Sequence, residues 1–276
     1  MQVGILTAPF RNEPLEKIIE FAGENGFEAL EVASAVGGGQ IDVAAVNQAK
    51  ADEINAKLSK HDVQITSLAM YMNVTAPDKK DEVINSLKLG VDAAQKLGVG
   101  VVCTLAGMPV QGKDKMKTIE EDCPLTLKPI VEYAAGKGIK IALENWYATN
   151  IQNLAHWRRI FEVIPDENFG LNFDPSHLLW QGIDYIAAVH EFAPRIFHTH
   201  AKDTEINDHV LSVVGNQAGG WWRYVIPGFG RVKWGEYIAA LRRVGYNGVL
   251  SIEHEDAALG REEGFIKGKN FLKIFA

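Results

Sequence analysis

The chain is short of basic residues and of cysteine. It has 28 Lys and Arg residues and 35 Asp and Glu residues, which gives a net charge of −7 at pH 7. This balance argues against a nucleic-acid partner, because phosphate backbones are bound by basic surfaces. The two cysteines, Cys103 and Cys123, lack CxxC spacing. They indicate buried reduced thiols rather than a disulfide framework.

Long apolar runs are also missing. No stretch of about 20 apolar residues occurs, and the first residues lack the basic segment and apolar core of a secretory signal. We therefore expect no membrane association and a cytoplasmic location. Hydrophobic residues still make up 47% of the chain, which is enough for a large core. Because no linker or composition shift interrupts the sequence, we expect a single domain over 1–276.

Short apolar runs alternate with segments of helical periodicity along the whole chain. The runs lie at 3–7, 28–32, 64–70, 101–105, 139–145, 169–174, 195–201 and 248–254. Eight strand–helix units whose strands are apolar on both faces predict an α/β fold, closed as a single (β/α)₈ TIM barrel. The competing open doubly wound sheet usually carries a Gly-rich phosphate turn after its first strand, where this chain has TAPFRNEP.

One loop of the predicted barrel is enlarged. The last two apolar runs begin about 53 residues apart, so the loop after the seventh strand covers roughly 203–233. It contains the aromatic, Gly-rich segment GNQAGGWWRYVIPGFGRVKW. Loops at this end of a TIM barrel build the active site, which predicts a substrate wall or lid. The alternative is a loop that packs on the barrel mouth or joins subunits of a homo-oligomer.

Four consecutive strands end in a polar residue that their apolar runs do not predict, namely Glu144, Asp174, His200 and Glu253. Because strand ends ring a common pocket in a barrel, these side chains should converge. Three carboxylates in one place repel one another unless a cation compensates them. This oxygen-dominated ligand set predicts one divalent metal, Mn²⁺ before Mg²⁺, Co²⁺ or Zn²⁺. For any one residue alone, a salt-bridged or capping side chain is the alternative.

Further polar residues surround the predicted ligands. His177 begins a loop three residues after one ligand, and Lys202 and Asp203 lie just beyond another. We expect all three to contact substrate, although an ordinary ion pair between Lys202 and Asp203 is an alternative. His198 has the same parity along its strand as His200, which predicts a buried histidine behind the ligand.

Three candidates for substrate contact lie farther from the predicted ligands. Glu31 ends the second apolar run, where it either hydrogen-bonds a substrate hydroxyl or serves as a structural carboxylate. Trp222 and Arg223, preceded by Trp221, lie in the enlarged loop. A tryptophan can stack on a sugar ring, and an arginine can clamp a phosphate or carboxylate. A solvent-exposed arginine is the alternative.

The sequence resembles the xylose-isomerase-like barrels, which include sugar-phosphate isomerases, ketose 3-epimerases and inosose dehydratases. The resemblance spans nearly the whole chain. Its most specific segments are ALEN at 142–145, GLNFDPSH at 170–177, HTHAKD at 198–203 and PGFGRVKW with GYNGVLSIEHED within 227–256.

The resemblance implies a Glu-Asp-His-Glu metal site at the four strand-end residues. In the epimerase members the two glutamates, here Glu144 and Glu253, also serve as acid and base. His177 resembles the histidine that contacts substrate near the metal. The arginine that ketose 3-epimerases carry six residues beyond the metal-binding histidine corresponds to Ile206 here.

These features predict a metal-dependent isomerase or epimerase of a sugar or sugar phosphate, which works through a metal-stabilised enediolate. A lyase acting on a keto-sugar or inosose shares the early steps and is the main alternative. An endonuclease of the same fold would need histidines on the second and third strands, which end in EVAS and LAMYM. A non-catalytic sugar-binding barrel is the third possibility.

Overall fold

The computed structural model describes residues 1–11 and 13–276. Within these ranges eight parallel strands form the barrel: β1 (Gln2–Leu6), β2 (Ala29–Ala35), β3 (Gln64–Ala69), β4 (Val101–Leu105), β5 (Lys140–Glu144), β6 (Phe169–Phe173), β7 (Ile196–Ala201) and β8 (Val249–Ile252). Each strand pairs with the next in chain order, and β1 also pairs with β8. The ring is therefore closed, which confirms the predicted TIM barrel.

Helices follow the strands and cover the outside of the barrel. Those described are α1 (Leu15–Glu24), α2 (Gln48–Lys60), α3 (Lys80–Leu97), α4 (Lys115–Glu121), α5 (Cys123–Ala135), α6 (Leu154–Val163), α7 (Ser176–Leu179), α8 (Tyr185–Glu191), α9 (Asp208–Val214), α10 (Trp234–Arg243) and α11 (Arg261–Leu272). In residues 1–11 and 13–276, no helix has both the length and the apolar character needed to cross a bilayer.

Local sequence explains where several helices begin. The side chains of Asn47, Asp114, Asn153 and Asp184 each accept hydrogen bonds from backbone N–H groups in the first turn of the helix that follows. Such caps satisfy donors that the helix itself leaves unpaired. These short polar residues therefore set where the loops end and the covering helices start.

The barrel wall is apolar, whereas part of its interior is polar. All five residues of β6 are buried, as expected for a strand that is covered on both faces. Towards the C-terminal ends of the strands, the interior contains the buried polar side chains of Glu31, Asn172, His198 and Ser251. Buried polar groups need hydrogen-bond partners, so this layer must be internally satisfied. It lies beneath the predicted metal ligands.

The loop after β7 has its own structure. Residues Asp203–Ile206 and Trp222–Val225 form a two-stranded antiparallel hairpin, with α9 between them. The hairpin begins two residues after β7 ends, so it rises directly from the C-terminal rim of the barrel. Its position allows residues of the loop to border the site.

Candidate metal centre

The four predicted ligands meet at the C-terminal end of the barrel. Glu144 is the last residue of β5, Asp174 directly follows β6, His200 lies in β7 and Glu253 directly follows β8. One ligand atom from each residue lies within 4.8 Å of the others. Asp174 and His200 are completely buried, and Glu144 is 6% exposed. Four strands thus deliver three carboxylates and one imidazole to one point.

Two atoms of this cluster test whether a metal ion fits. Asp174 Oδ2 and His200 Nδ1 are buried and have no hydrogen-bond partner within the described part of the chain. Charged groups lie close to both atoms without forming a hydrogen bond with them, so the two buried atoms are incompletely satisfied. Both atoms face the carboxylates of Glu144 and Glu253. A divalent cation would satisfy both atoms and offset the negative charge, so the residues fit a metal centre.

Lys202 brings a positive charge against the same carboxylates. Its Nζ lies 2.6 Å from Glu253 Oε2, 3.3 Å from Asp174 Oδ2 and 3.4 Å from Glu255 Oε2. Burial works against the charged form, but these carboxylates prevail and raise the pKa of Lys202 well above its usual value. The alternative considered above, an ion pair between Lys202 and Asp203, gives way to these contacts.

Both glutamate ligands are held ionised. Burial tends to raise the pKa of Glu144, but hydrogen bonds from His177 and His200 and the charge of Lys202 lower it below its ordinary value. Burial likewise opposes ionisation of Glu253, yet the charges of Lys202 and His200 lower its pKa to about 2. An ionised carboxylate can bind a cation and can accept a proton.

His177 lies beside Glu144. Its Nε2 is 3.2 Å from Glu144 Oε1, and its Nδ1 is 2.5 Å from the hydroxyl of Tyr224 in the hairpin. Because the carboxylate can only accept, His177 donates through Nε2, and Tyr224 then donates to Nδ1. Glu144 therefore sets the tautomer of His177, and Tyr224 of the hairpin completes the hydrogen bonding of the ring.

A cavity of about 220 Å³ opens above the cluster, lined by Tyr71, Leu105, Glu144, Trp146, His177, Lys202, Glu253 and Glu255. A larger depression of about 680 Å³ lies at the opposite end of the barrel, next to Lys140 and Phe197. TIM-barrel active sites form at the C-terminal end of the strands, and the candidate ligands lie there. The smaller cavity is therefore the candidate active site.

A family model described as the xylose isomerase-like TIM barrel matches residues 19–275. The chain belongs to this family. The family resemblance predicted from the motifs is thus confirmed. An uncharacterized protein of Bacillus subtilis (strain 168), YfiH, is 28% identical over 99% of this chain and 98% of its own length.

This xylose isomerase-like barrel is also similar to a named enzyme and to a solved structure. The inosose dehydratase of Clostridium botulinum (strain Alaska E43 / Type E3) is 27% identical over 53% of this chain and 51% of that enzyme. The crystal structure of the IOLI protein with a bound zinc atom covers 100% of this chain and 99% of its own, with a TM-score of 0.77 and 20% identity. At that identity the likeness shows a common fold.

In this family member Asp203 has no free acceptor pointing at the cavity. Its carboxylate accepts hydrogen bonds from the backbone N–H groups of Thr204, Gly228 and Val232 and from the indole of Trp234. A Cβ atom at Gly230 would lie 2.3 Å from Asp203 Oδ1, so only glycine lets the loop pass this closely. Asp203 thus anchors the enlarged loop, and direct substrate contact stays a prediction.

The other loop candidates also have protein partners. Arg223 is half exposed and forms ion pairs with Glu205 and Asp256. Trp222 stacks on Trp180, with ring centroids 4.3 Å apart and an angle of 8° between the rings. Neither residue borders the 220 Å³ cavity. Their proposed stacking and anion-clamping roles therefore depend on a substrate that extends beyond this cavity.

Several residues of the site were missed by sequence reasoning. Tyr71, Trp146 and Glu255 line the cavity, and Tyr224 contacts His177. Glu255 could have been predicted from the sequence, because it follows Glu253 by two residues and alternate residues of an extended chain point the same way. Burial and the charge of Glu253 raise its pKa. Tyr71 lies just beyond the end of β3, and Tyr224 lies in the loop hairpin. An aromatic residue at either position could equally serve packing alone, so nothing in the sequence indicated a role in the site.

We expect purified protein to bind one divalent ion per chain. A second group, Glu31, Cys103 and His198, also has metal-ligand geometry. However, both His198 nitrogens already have partners, with Nδ1 3.0 Å from Asn172 Oδ1 and Nε2 3.1 Å from Thr66 Oγ1. Elemental analysis and calorimetric titration with Mn²⁺ measure the stoichiometry. About three ions per chain would contradict this expectation and favour the nuclease alternative.

Proposed function

We propose that this xylose isomerase-like barrel is a metal-dependent isomerase or epimerase that moves a proton on the carbon next to the ketone of a small sugar. The observation that carries the proposal is the pair of ionised carboxylates, Glu144 and Glu253, on non-adjacent strands at the wall of one cavity. Two carboxylates that approach a substrate from different strands of the barrel can remove a proton and return it.

The chain's own residues orient the substrate and move the proton. A divalent ion held by the four ligands, Mn²⁺ by our expectation from the donor set, would supply Lewis-acid polarisation of the ketone. His177 donates to Glu144 and fixes the direction of that carboxylate. Lys202 holds Glu253 in place, and a contact with a substrate hydroxyl would replace its longer contact with Glu255. Leu105 and Trp146 provide apolar wall that limits water near the reacting carbon.

We further propose that the substrate is uncharged. The cavity lining contains three carboxylates, Glu144, Glu253 and Glu255, against the single ammonium of Lys202 among the described lining residues. That ammonium already contacts Glu253 and Glu255. The proposed divalent ion offsets two of these charges and is itself surrounded by its carboxylate ligands, so a phosphate or carboxylate on the substrate would find no free cation to pair with. A keto-sugar or inosose fits this lining better than a sugar phosphate.

Dehydration is a second candidate function. It is favoured by the similarity to the C. botulinum protein named inosose dehydratase, and by a third carboxylate in the cavity. Glu255 lies 3.4 Å from Lys202 and borders the cavity without belonging to the predicted ligand set. Such a group can deliver a proton to a hydroxyl that leaves from the carbon next but one to the ketone.

Deuterium incorporation distinguishes these functions. The protein would be incubated in D₂O with Mn²⁺ and a panel of neutral ketoses and inososes, alongside phosphorylated counterparts of the ketoses, and the products analysed by NMR after chelation. We expect deuterium at the carbon beside the carbonyl of a neutral substrate, with no atoms lost. When one carboxylate removes the proton and the other returns one drawn from solvent, each turnover introduces deuterium.

Each other outcome has a definite meaning. Stoichiometric loss of water would replace isomerisation by dehydration. Turnover of phosphorylated sugars in preference to their neutral counterparts would contradict the uncharged substrate. Binding of a keto-sugar without exchange or product, in protein shown to hold its metal, would favour the non-catalytic barrel.

A further inference from the structure

One buried carboxylate lies directly beneath the predicted metal ligands. Glu31, in β2, has no solvent exposure. Its Oε1 accepts a 2.6 Å hydrogen bond from the hydroxyl of Tyr71, and its Oε2 accepts a 2.9 Å hydrogen bond from the hydroxyl of Ser251. Glu31 Oε2 also lies 3.1 Å from His200 Nε2. Glu31 does not border the 220 Å³ cavity, which favours a role exerted through its neighbours, and direct contact with a substrate hydroxyl stays a prediction.

The two ring nitrogens of His200 have different surroundings. Nε2 faces Glu31, whereas Nδ1 faces the ligand cluster and lies 3.0 Å from Glu253 Oε2. Ionised carboxylates face both nitrogens, and a carboxylate accepts hydrogen bonds but cannot donate them, so in the metal-free protein each nitrogen can carry a proton. When a cation occupies the cluster, Nδ1 gives up its proton to bind the ion, and Glu31 keeps a proton on Nε2. The lone pair of Nδ1 is then directed into the ligand cluster.

Other groups around Nε2 offer a competing arrangement. The amide nitrogen of Asn172 lies 2.9 Å from Nε2, and the hydroxyl of Tyr71 lies 3.0 Å from it. If either donated to Nε2, the ring proton would move to Nδ1 and block metal binding. The hydroxyl of Tyr71 is instead directed to Glu31 at the shorter distance of 2.6 Å. The amide nitrogen of Asn172 has other acceptors in the hydroxyl of Tyr71, at 3.1 Å, and in Glu31 Oε1, at 3.4 Å. Hydrogen bonds to an ionised acceptor are also roughly twice as strong as neutral ones.

We propose that Glu31 is a positioning residue for the metal centre, which holds His200 in the Nε2–H tautomer and aims Nδ1 at the bound ion. The inference rests on the proposed metal-dependent function and adds a residue outside the ligand set. Four strands of the barrel contribute to the arrangement: Glu31 lies in β2, Tyr71 follows β3, His200 lies in β7 and Ser251 lies in β8. The ring is therefore oriented by the barrel as a whole.

Metal affinity and apo stability, measured together, test this role. Glu31→Gln keeps the side-chain volume but removes the anionic acceptor, and we expect it to weaken Mn²⁺ affinity about 10–100-fold in a chelator competition assay. Ser251→Ala is the matched control, because it removes another donor to the same oxygen and leaves the contact with His200. We expect a much smaller loss of Mn²⁺ affinity than in Glu31→Gln, because Glu31 keeps its charge and its hydrogen bond from Tyr71. Thermal unfolding of both variants without metal reports any general loss of packing.

The outcomes separate this inference from the proposed function. Unchanged Mn²⁺ affinity in a folded Glu31→Gln protein, even one with a lower melting temperature, would show a merely structural carboxylate and overturn the inference alone. Wild-type protein that binds no divalent ion would instead overturn the metal-dependent function, and the inference with it.

A measurement on the wild-type protein covers the case in which Glu31→Gln does not fold. Long-range ¹H–¹⁵N NMR of histidine-labelled, Zn²⁺-loaded protein reports which ring nitrogen carries the proton. We expect His200, assigned by the loss of its signals in His200→Asn, to carry its proton on Nε2 with Nδ1 bound to the ion. A proton on Nδ1 in the loaded protein would overturn the proposal.

Discussion

Glu144→Gln should lower turnover by at least about 10³-fold while leaving the fold intact. The substitution removes a base that contributes about 10²–10⁴-fold to proton transfer, and it also weakens a metal ligand. Glu253→Gln should have a similar effect, because both carboxylates are ionised and border the same cavity. The measurement is kcat on the substrate identified by deuterium exchange, together with circular dichroism of each variant.

The metal dependence of the variants separates a base from a ligand. Asp174→Asn removes a predicted ligand that does not border the cavity, so saturating Mn²⁺ should restore much of its turnover. In Glu144→Gln, saturating Mn²⁺ should restore binding of the ion but not turnover. Full recovery of Glu144→Gln at high Mn²⁺ would reduce this residue to a ligand and contradict its role in proton transfer.

Glu255→Gln provides the matched control within the same cavity. Its carboxylate borders the cavity but does not belong to the ligand cluster. We expect little change in an isomerisation, whereas a dehydration that uses Glu255 as proton donor would slow markedly. The same variant thus tests the two candidate functions with one assay.

The barrel and its ligands could be predicted from the sequence for a topological reason. Strand ends in a closed parallel barrel converge, so a polar residue at the end of an apolar run has a predictable location. Glu144, Asp174, His200 and Glu253 each stand at such a position, and the structure brings them together. The position of each ligand can be predicted because each strand and its end are recognisable from a short local stretch of sequence.

The roles of other residues depend on contacts between distant segments. Asp203 has the sequence context of a substrate ligand, but backbone groups about 25 to 30 residues later fold back onto its carboxylate. Glu31 ends an apolar run as the metal ligands do, yet it lies one layer deeper, where three other elements donate to it or face it. Such partners are set by loop conformation and barrel register, which a single sequence does not specify.

The position of Lys202 implies a stability difference that depends on metal. Its ammonium is buried against Glu253 and Asp174, the carboxylates that a divalent ion would also contact. Lys202→Met removes this internal cation and leaves buried negative charge without compensation. We expect the free energy of unfolding in the presence of EDTA to fall by about 3–5 kcal/mol, as for other broken buried ion pairs.

Added Mn²⁺ should reverse most of that loss, because the ion supplies positive charge to the same carboxylates and stabilises only the folded state that binds it. Urea unfolding with EDTA and with Mn²⁺ measures both values. Lys140→Met, at an exposed lysine over Phe197 at the other end of the barrel, is the control and should change stability by less than about 0.5 kcal/mol in either condition.

An equal loss for Lys202→Met with and without Mn²⁺ would mean that the ion and the lysine do not compensate the same charges. A recovery specific to Mn²⁺ would place the ion at the carboxylates of Asp174 and Glu253, independently of any assay of turnover.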